Sequence, residues 1–291
     1  MASQAERRVR YSQNFLHNSR LVTRIVEASS LDRHDLVIEI GPGAGSITRA
    51  LVNRCRHVIA VELDPVQVER FCKRFGQIPN LTVFAADFLD VPLPHSRYKV
   101  FANIPFRETA AIVGKLTTGT APPADCYLVV QREAAERFIG SQGGTLAAMR
   151  ILPWFEVSIV HTFRRSDFRP APSVDSVLMR IEQRTRPLVT PVDRDRYTDL
   201  VTAVFGAWQP SVGAALQRLL PSNAASTVAA SAADVMDKRP GDVLADEWVA
   251  LFGMLADRDD ARLWNAIERE ARKQKHNRAG IEKRHRTSVV R

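Results

Sequence analysis

The stretch Leu36-Val37-Ile38-Glu39-Ile40-Gly41-Pro42-Gly43-Ala44-Gly45 decides the fold class. Its first five residues are apolar and β-branched apart from Leu36 and Glu39, and read as a buried strand. The glycines that follow permit a tight turn and let the backbone come close to a ligand. Ser46 to Arg54 then carries a helical pattern, so strand, glycine-rich turn and helix follow one another. The GxGxG spacing differs from the GxGxxG of dinucleotide sites, and no Lys-Ser/Thr pair follows as in a phosphate-gripping loop. Taken alone, such a turn serves equally well as a structural βα connection.

The same alternation continues outward. His57–Val61 reads as a strand, Pro65 to Phe75 as a helix, and Leu81–Phe84, Tyr98–Ala102 and Cys126–Val130 as further strands. Strands separated by helical segments imply βαβ units, hence an α/β Rossmann-like parallel sheet with helices on both faces. Glu156–Phe163 and Ser176–Ile181 flank a proline-rich turn and read as an antiparallel pair that ends the sheet. Pro187 and Pro191 mark a linker after Arg184. Beyond it Tyr197–Phe205, Val212–Leu220, Ala225–Met236 and Glu247–Leu255 read as helices separated by Pro210, Pro221 and Pro240. Asp259-Asp260 can cap one more, with Leu263, Ile267 and Ala271 along one side. From Arg272 onward apolar periodicity is lost, and that tail is expected to be disordered in isolation. The expected organisation is a basic arm over 1–10, an α/β domain over 11–185, a small all-α domain over 186–259 and a basic tail over 260–291.

The 291 residues are 45% hydrophobic and 25% charged, an ordinary globular composition, with a net charge of +9. That charge is unevenly spread. Residues 1–10 carry net +2 and residues 262–291 net +7, whereas 11–261 balance 28 basic against 28 acidic residues. The ends ask for an anionic partner; the body does not. A membrane span, a secretory leader and a zinc-type Cys/His spacing are all absent from the pattern. Cys55, Cys72 and Cys126 lie in apolar stretches and read as reduced core cysteines of a cytoplasmic protein. No metal site is expected. Trp208, Trp248 and Trp264 fall at helical positions and read as packing residues.

Three candidate ligand positions occur at successive strand ends. Gly41, Gly43 and Gly45 follow the first strand, Glu62 ends the second, and Asp87 ends the third. At the second place a carboxylate can accept hydrogen bonds from both ribose hydroxyls of a nucleoside, and at the third from an adenine amino group. Nothing nearby is built for a pyrophosphate, so a nucleoside without one fits better than a dinucleotide. Asp64-Pro65 reads as a helix start.

The fourth strand ends in Asn103-Ile104-Pro105-Phe106, and here the chain resembles the S-adenosylmethionine-dependent rRNA adenine-N6 methyltransferases. It is most similar to the Erm family of macrolide-resistance enzymes, cousins of the small-subunit rRNA dimethyltransferases. The resemblance runs from about Ser12 to at least Glu182 and includes Ser12–Leu16, Glu39–Gly45, Glu62, Asp87, Asn103–Phe106, Gln131–Arg137 and Phe168–Ser176. It implies a class I methyltransferase sheet and S-adenosylmethionine as cofactor. Asn14 and Leu16 would close over that cofactor and Asn103 would touch it. Gly41 and its neighbours would pack on its methionine end, Glu62 would hold the ribose and Asp87 the adenine. The chemistry of Asn103–Phe106 has its own logic. The exocyclic nitrogen of adenine is a poor nucleophile because its lone pair is delocalised into the ring. Hydrogen bonds from its N–H groups to the Asn103 side-chain oxygen and the Ile104 carbonyl favour a pyramidal nitrogen. Pro105 stiffens the turn and removes a competing donor, and Phe106, with Phe168, can stack on a flipped base. Arg132 can contact RNA or hold a loop through ion pairs.

The resemblance implies a monomeric enzyme acting on N6 of one adenine in the peptidyl-transferase loop of 23S rRNA, giving macrolide, lincosamide and streptogramin B resistance. Asn-Ile-Pro-Phe favours this over the Asn-Leu-Pro-Tyr of the small-subunit enzymes. Phe205–Ser211 departs from those enzymes too, lacking their basic cluster. A 16S rRNA adenine dimethyltransferase of small-subunit assembly and a non-catalytic RNA-binding factor of the same fold are the alternatives.

Overall fold

A computed structural model describes residues 14–140, 144–220, 232–258 and 260–288. The basic arm over 1–10, with Ser12 and Gln13, lies outside the described residues, as does most of the helix expected from Ala225. The chain divides into two compact units, one of residues 1–136 with 155–184, the other of residues 137–154 with 185–291.

The first unit is built on a seven-stranded sheet. Its strands are β2 (Leu36–Ile40), β3 (His57–Glu62), β4 (Leu81–Ala85), β5 (Lys99–Asn103), β6 (Asp125–Gln131), β7 (Phe155–Thr162) and β9 (Ser176–Gln183), in the order β4-β3-β2-β5-β6-β9-β7. The pairs from β4 to β6 are parallel, and β9 is antiparallel to both β6 and β7. The expected parallel sheet and terminal antiparallel pair are thus present. The later strand of that pair lies inside and the earlier one forms the edge. A separate two-residue strand β1 (Phe15–Leu16) pairs antiparallel with β8 (Phe168–Arg169).

The helices of this unit are α1 (Ser19–Glu27), α2 (Ser46–Arg54), α3 (Pro65–Phe75), α4 (Thr109–Thr118) and the start of α5 (Arg132–Ile139). Strand order moves one way from β2 to β4 and the other way from β5 to β6. Right-handed crossovers therefore set α2 and α3 on one face and α4 on the other. Val22, Ile25 and Val26 of α1 and Ile47 and Leu51 of α2 share a core with Val37, Val58, Phe101 and Val129 of the sheet. Asp64 caps α3 by accepting from the Val66 N–H at 3.0 Å, with Pro65 at the first helical position. Cys55 and Cys126 are buried, but Cys72 is exposed, because it falls on the outer side of α3.

Residues 137–154, expected in the α/β domain, belong to the helical unit together with 185–291. Their helix α6 (Leu146–Met149) and the following turn pack with the helical unit. Trp154 meets Tyr197 edge-on at 5.5 Å, Arg194 lies over the Trp154 ring at 4.7 Å, and the Gly144 N–H donates to the Gly241 carbonyl at 2.5 Å. The other helices there are α7 (Arg194–Gly206), α8 (Val212–Leu219), α9 (Ala233–Met236), α10 (Ala245–Ala256) and α11 (Ala261–Ser288). Leu263, Ile267 and Ala271 are fully buried, as their spacing predicts. The expectation of a disordered tail is corrected: α11 continues to Ser288. Its first turns are nucleated by that buried stripe and by Asp260, which accepts from the Arg262 N–H at 2.9 Å. Each later residue then adds one hydrogen bond at low entropic cost, and Arg, Lys, Glu and Ala are good helix formers. Trp248 and Trp264 are buried packing residues, whereas Trp208 is 89% exposed and corrects that reading. No helix among the described residues is long and apolar enough to cross a membrane.

A polar cluster ties the strand starts together, opposite the strand ends where ligand positions were expected. Asp125 accepts from Arg180 Nη2 at 2.7 Å and from Ser30 Oγ at 2.6 Å, while buried Lys99 bonds Asp35 at 2.8 Å and the Ser30 carbonyl at 2.6 Å. Replacing Asp125 by Ala leaves Arg180 without its buried partner and should cost about 3 kcal/mol in urea unfolding. Cofactor affinity of the folded variant should match wild type, because Asp125 starts β6 while the candidate site lies where the strands end.

Candidate active site

The parallel strands end together, which brings Gly41, Glu62 and Asn103 to one edge of the sheet. The glycine turn is held open by its backbone. Gly41, Gly43 and Gly45 have φ of 66°, 52° and 78°, left-handed values that favour glycine. A Cβ at Gly43 would collide with the Phe15 ring, and one at Gly45 with the Phe75 ring. A Cβ at Gly41 would enter open space whose nearest atom is the Asn103 carbonyl oxygen at 3.9 Å. That opening, bounded by the turn and by Asn103, is room for a ligand next to backbone. The Gly41 N–H donates to the Val61 carbonyl at 2.9 Å, and Arg74 reaches the Ala44 carbonyl at 3.1 Å, so both halves of the turn are tied to neighbours.

Glu62 is 3% exposed and bonds the loop as well as facing the strand end. Its Oε2 accepts from the Gly43 N–H at 3.1 Å and its Oε1 from the Asp64 N–H at 3.0 Å. Burial pushes this carboxyl above its usual range, against the pull of those N–H groups. Each oxygen keeps lone-pair capacity for a hydroxyl donor. Leu63, the next residue, is 47% exposed and offers apolar surface there. Asp87 accepts from the Leu89 N–H at 2.9 Å with one oxygen. Lys115 fixes the same loop through the Leu89 carbonyl at 2.8 Å and the Val91 carbonyl at 2.5 Å.

Asn103 ends β5, and its Nδ2 donates to the Asn14 carbonyl at 2.6 Å. The side-chain Oδ1 is thereby left as an acceptor. Ile104 is buried, Pro105 leads into a short 3-10 turn, and the Thr109 hydroxyl donates to the Phe106 carbonyl at 2.8 Å. Phe106 is half-buried, with ring surface left for a ligand.

Two residues expected to meet a ligand have buried side chains. Phe168 is 2% exposed and edge-on to Phe163 at 5.4 Å in the core, so its ring is a packing residue here and presents no open face to a base. Leu16 is likewise 2% exposed, and its side chain anchors the segment in the same core. Arg132 holds a loop: its Nη2 donates to the Thr162 hydroxyl at 3.0 Å, its Nη1 stands 3.8 Å from Glu136, and its backbone N–H bonds the Asp175 carbonyl at 2.9 Å. Sequence reasoning missed Phe15 as the cover of Gly43, Phe75 as the floor of Gly45, and Leu63. Only Leu63 had a local signal, since it directly follows the strand-end acid.

Glu39 of β2 is 1% exposed, and its Oε2 has no hydrogen-bond partner among the described residues. Burial pushes its carboxyl up to about 8, with Thr48 pulling the other way. Below the ordinary 4.5 both folded and unfolded chains hold the proton. Between that value and 8 only the unfolded chain releases it, so folding weakens as pH rises. The gap in melting temperature between Glu39→Gln and wild type should therefore widen in favour of the variant from pH 5 to pH 8; a constant gap refutes this. Gly43→Ala should weaken cofactor binding at least tenfold by calorimetry, because the methyl both strains φ and displaces Phe15. Gly114→Ala, within α4 and with nothing near its Cβ, should bind as wild type does.

Comparison with known proteins identifies the family. Residues 4–253 match the ribosomal RNA adenine dimethylase family. The chain is 33% identical to a probable ribosomal RNA small subunit methyltransferase A of Methanopyrus kandleri, over 82% of this chain and 86% of that one. It is 34% identical to an rRNA adenine N-6-methyltransferase of Aeromicrobium erythreum, over 86% of this chain and 74% of that one. The crystal structure of the 23S rRNA methyltransferase ErmE superposes with a TM-score of 0.74 at 29% identity, covering 84% of this chain and all of that one. The chain belongs to the ribosomal RNA adenine dimethylase family, enzymes that methylate N6 of rRNA adenine with S-adenosylmethionine as cofactor.

Proposed function

We propose that this chain methylates N6 of one adenine in the peptidyl-transferase loop of 23S rRNA and so confers macrolide, lincosamide and streptogramin B resistance. The observation that carries the catalytic assignment is the Asn103 Nδ2 bond to the Asn14 carbonyl at 2.6 Å. It engages one amide N–H, sets the orientation of the amide and leaves Oδ1, an acceptor, for the amino group of a flipped adenine. The Ile104 carbonyl is the second acceptor, and the Phe106 ring is the stacking face. With both N–H groups held, the nitrogen lone pair is turned away from the ring and toward the opening in front of Gly41. S-adenosylmethionine, when bound there, supplies an electrophilic sulfonium methyl. Glu62 would accept from its ribose hydroxyls, Asp87 from its adenine amino group, and Leu63 would pack on the adenine. No strong base is needed, since the amino proton becomes acidic once the methyl is on nitrogen and can leave to water. Positioning and exclusion of water then supply the rate.

The 23S assignment draws on the likeness to ErmE at TM-score 0.74 and on Ile104 and Phe106 in the site motif. Relatives named for the small subunit are about as similar, so RNA choice is the property to measure. The cytoplasm, where rRNA is made, is the proposed location, and a monomer the proposed form. Purified enzyme should methylate protein-free 23S rRNA at one adenine mapped by primer extension and mass spectrometry. Methylation confined to 16S rRNA within 30S particles overturns the 23S reading. Asn103→Ala should lower the methylation rate roughly 100-fold or more, with cofactor affinity reduced far less.

A further inference from the structure

Trp154, Trp248 and Trp264 are 4%, 0% and 8% exposed, whereas Trp208 is 89% exposed. It stands in the turn between α7 and α8 with φ of 53°, the one non-glycine residue of positive φ among the described residues. A bulky residue persists in that region only where its surroundings over-determine the backbone. Here they do. The Ala207 N–H donates to the Val204 carbonyl at 3.3 Å, and the Ala207 carbonyl accepts from Arg218 Nη1 at 3.2 Å and from Gln209 Nε2 at 3.3 Å. Pro210 follows, and Ser211 caps α8 by accepting from the Ala214 N–H at 3.2 Å. A rigid turn thus holds a large ring out in water, against both its backbone preference and the hydrophobic effect. Folding gains nothing from this arrangement.

Basic side chains stand near the turn. Arg218 lies at its base. Gln274 of α11 donates to the Gly206 carbonyl at 2.9 Å, and Lys275 pairs with Asp199 of α7 at 2.8 Å. The Gln274 bond sets this stretch of α11 beside the end of α7, and its exposed Arg272 and Lys273 stand 2.6 Å from Glu268 and 3.9 Å from Glu270. We propose that Trp208 is a stacking platform for an unpaired base of the substrate RNA, other than the adenine that is methylated, with the adjacent cations taking its phosphates. This rests on the RNA-methylating function proposed above. An indole face accepts any base, and a backbone already fixed leaves less entropy to lose on stacking.

The test compares wild type, Trp208→Ala and Trp208→Phe for binding and methylation of 16S and 23S rRNA transcripts. Trp208→Ala should bind the methylated transcript roughly tenfold or more weakly, while Trp208→Phe retains most of the affinity. The slope of log affinity against log salt should not change in either variant, because stacking releases no counter-ions. Cofactor affinity should be that of wild type. Acrylamide should quench wild-type tryptophan emission through Trp208, and bound RNA should protect it. Wild-type affinity in Trp208→Ala, or quenching that RNA leaves unchanged, overturns the inference while the methyltransferase reading stands. A wild-type protein that neither binds nor methylates either transcript overturns both.

Discussion

The carbonyl of Asn14 decides which way the Asn103 amide faces. An amide carries two donors and an acceptor on one rotatable plane, and a site that must receive N–H groups from adenine works with only one of its two orientations. The 2.6 Å bond from Nδ2 sets the orientation of the amide and leaves Oδ1 for substrate. Asn14 is placed in turn by its neighbours: Phe15 and Leu16 pair with Arg169 and Phe168, the Leu16 side chain is buried in the core, and the Phe15 ring covers Gly43. One two-residue strand therefore fixes the proposed catalytic amide and the cover of the glycine turn together.

The same economy governs the acidic residues. Glu62 is not a bare ligand position. Its carboxylate gathers the N–H groups of Gly43 and Asp64, so the residue proposed to hold ribose also shapes the turn proposed to face the methionine end. Burial opposes the charge on Glu62 and keeps Glu39 protonated up to about pH 8. Two buried carboxyls beside the glycine turn weaken the fold there, a cost met by the apolar core on both sides of the sheet.

Much of the site was legible because its signals are local. Strand-ending Glu62 and Asp87, the glycine turn and Asn103–Phe106 each follow a β-branched run, and parallel strands that end together converge without further information. The Asp64 cap and the Leu263, Ile267 and Ala271 stripe were legible for the same reason. Phe168 and Leu16 were not. Their motifs look like ligand contacts, yet what lies against a side chain is set by residues about 150 positions away, and both are core residues. The sequence around Arg132 fits two roles, and its Thr162 partner, 30 positions away, is visible only in the folded chain.

By itself the sequence determined the order of strands and helices, the α/β class and the family, because period-two and helical patterns, caps and turn chemistry act over a few residues. Tertiary structure alone decided the rest. It placed residues 137–154 with the helical unit, set β9 between β6 and β7, and extended α11 through a tail without apolar periodicity. It also buried Trp248 in α10 while turning Trp208 outward in the turn between α7 and α8. Burial is a property of what packs opposite a residue, and chain neighbours do not specify that.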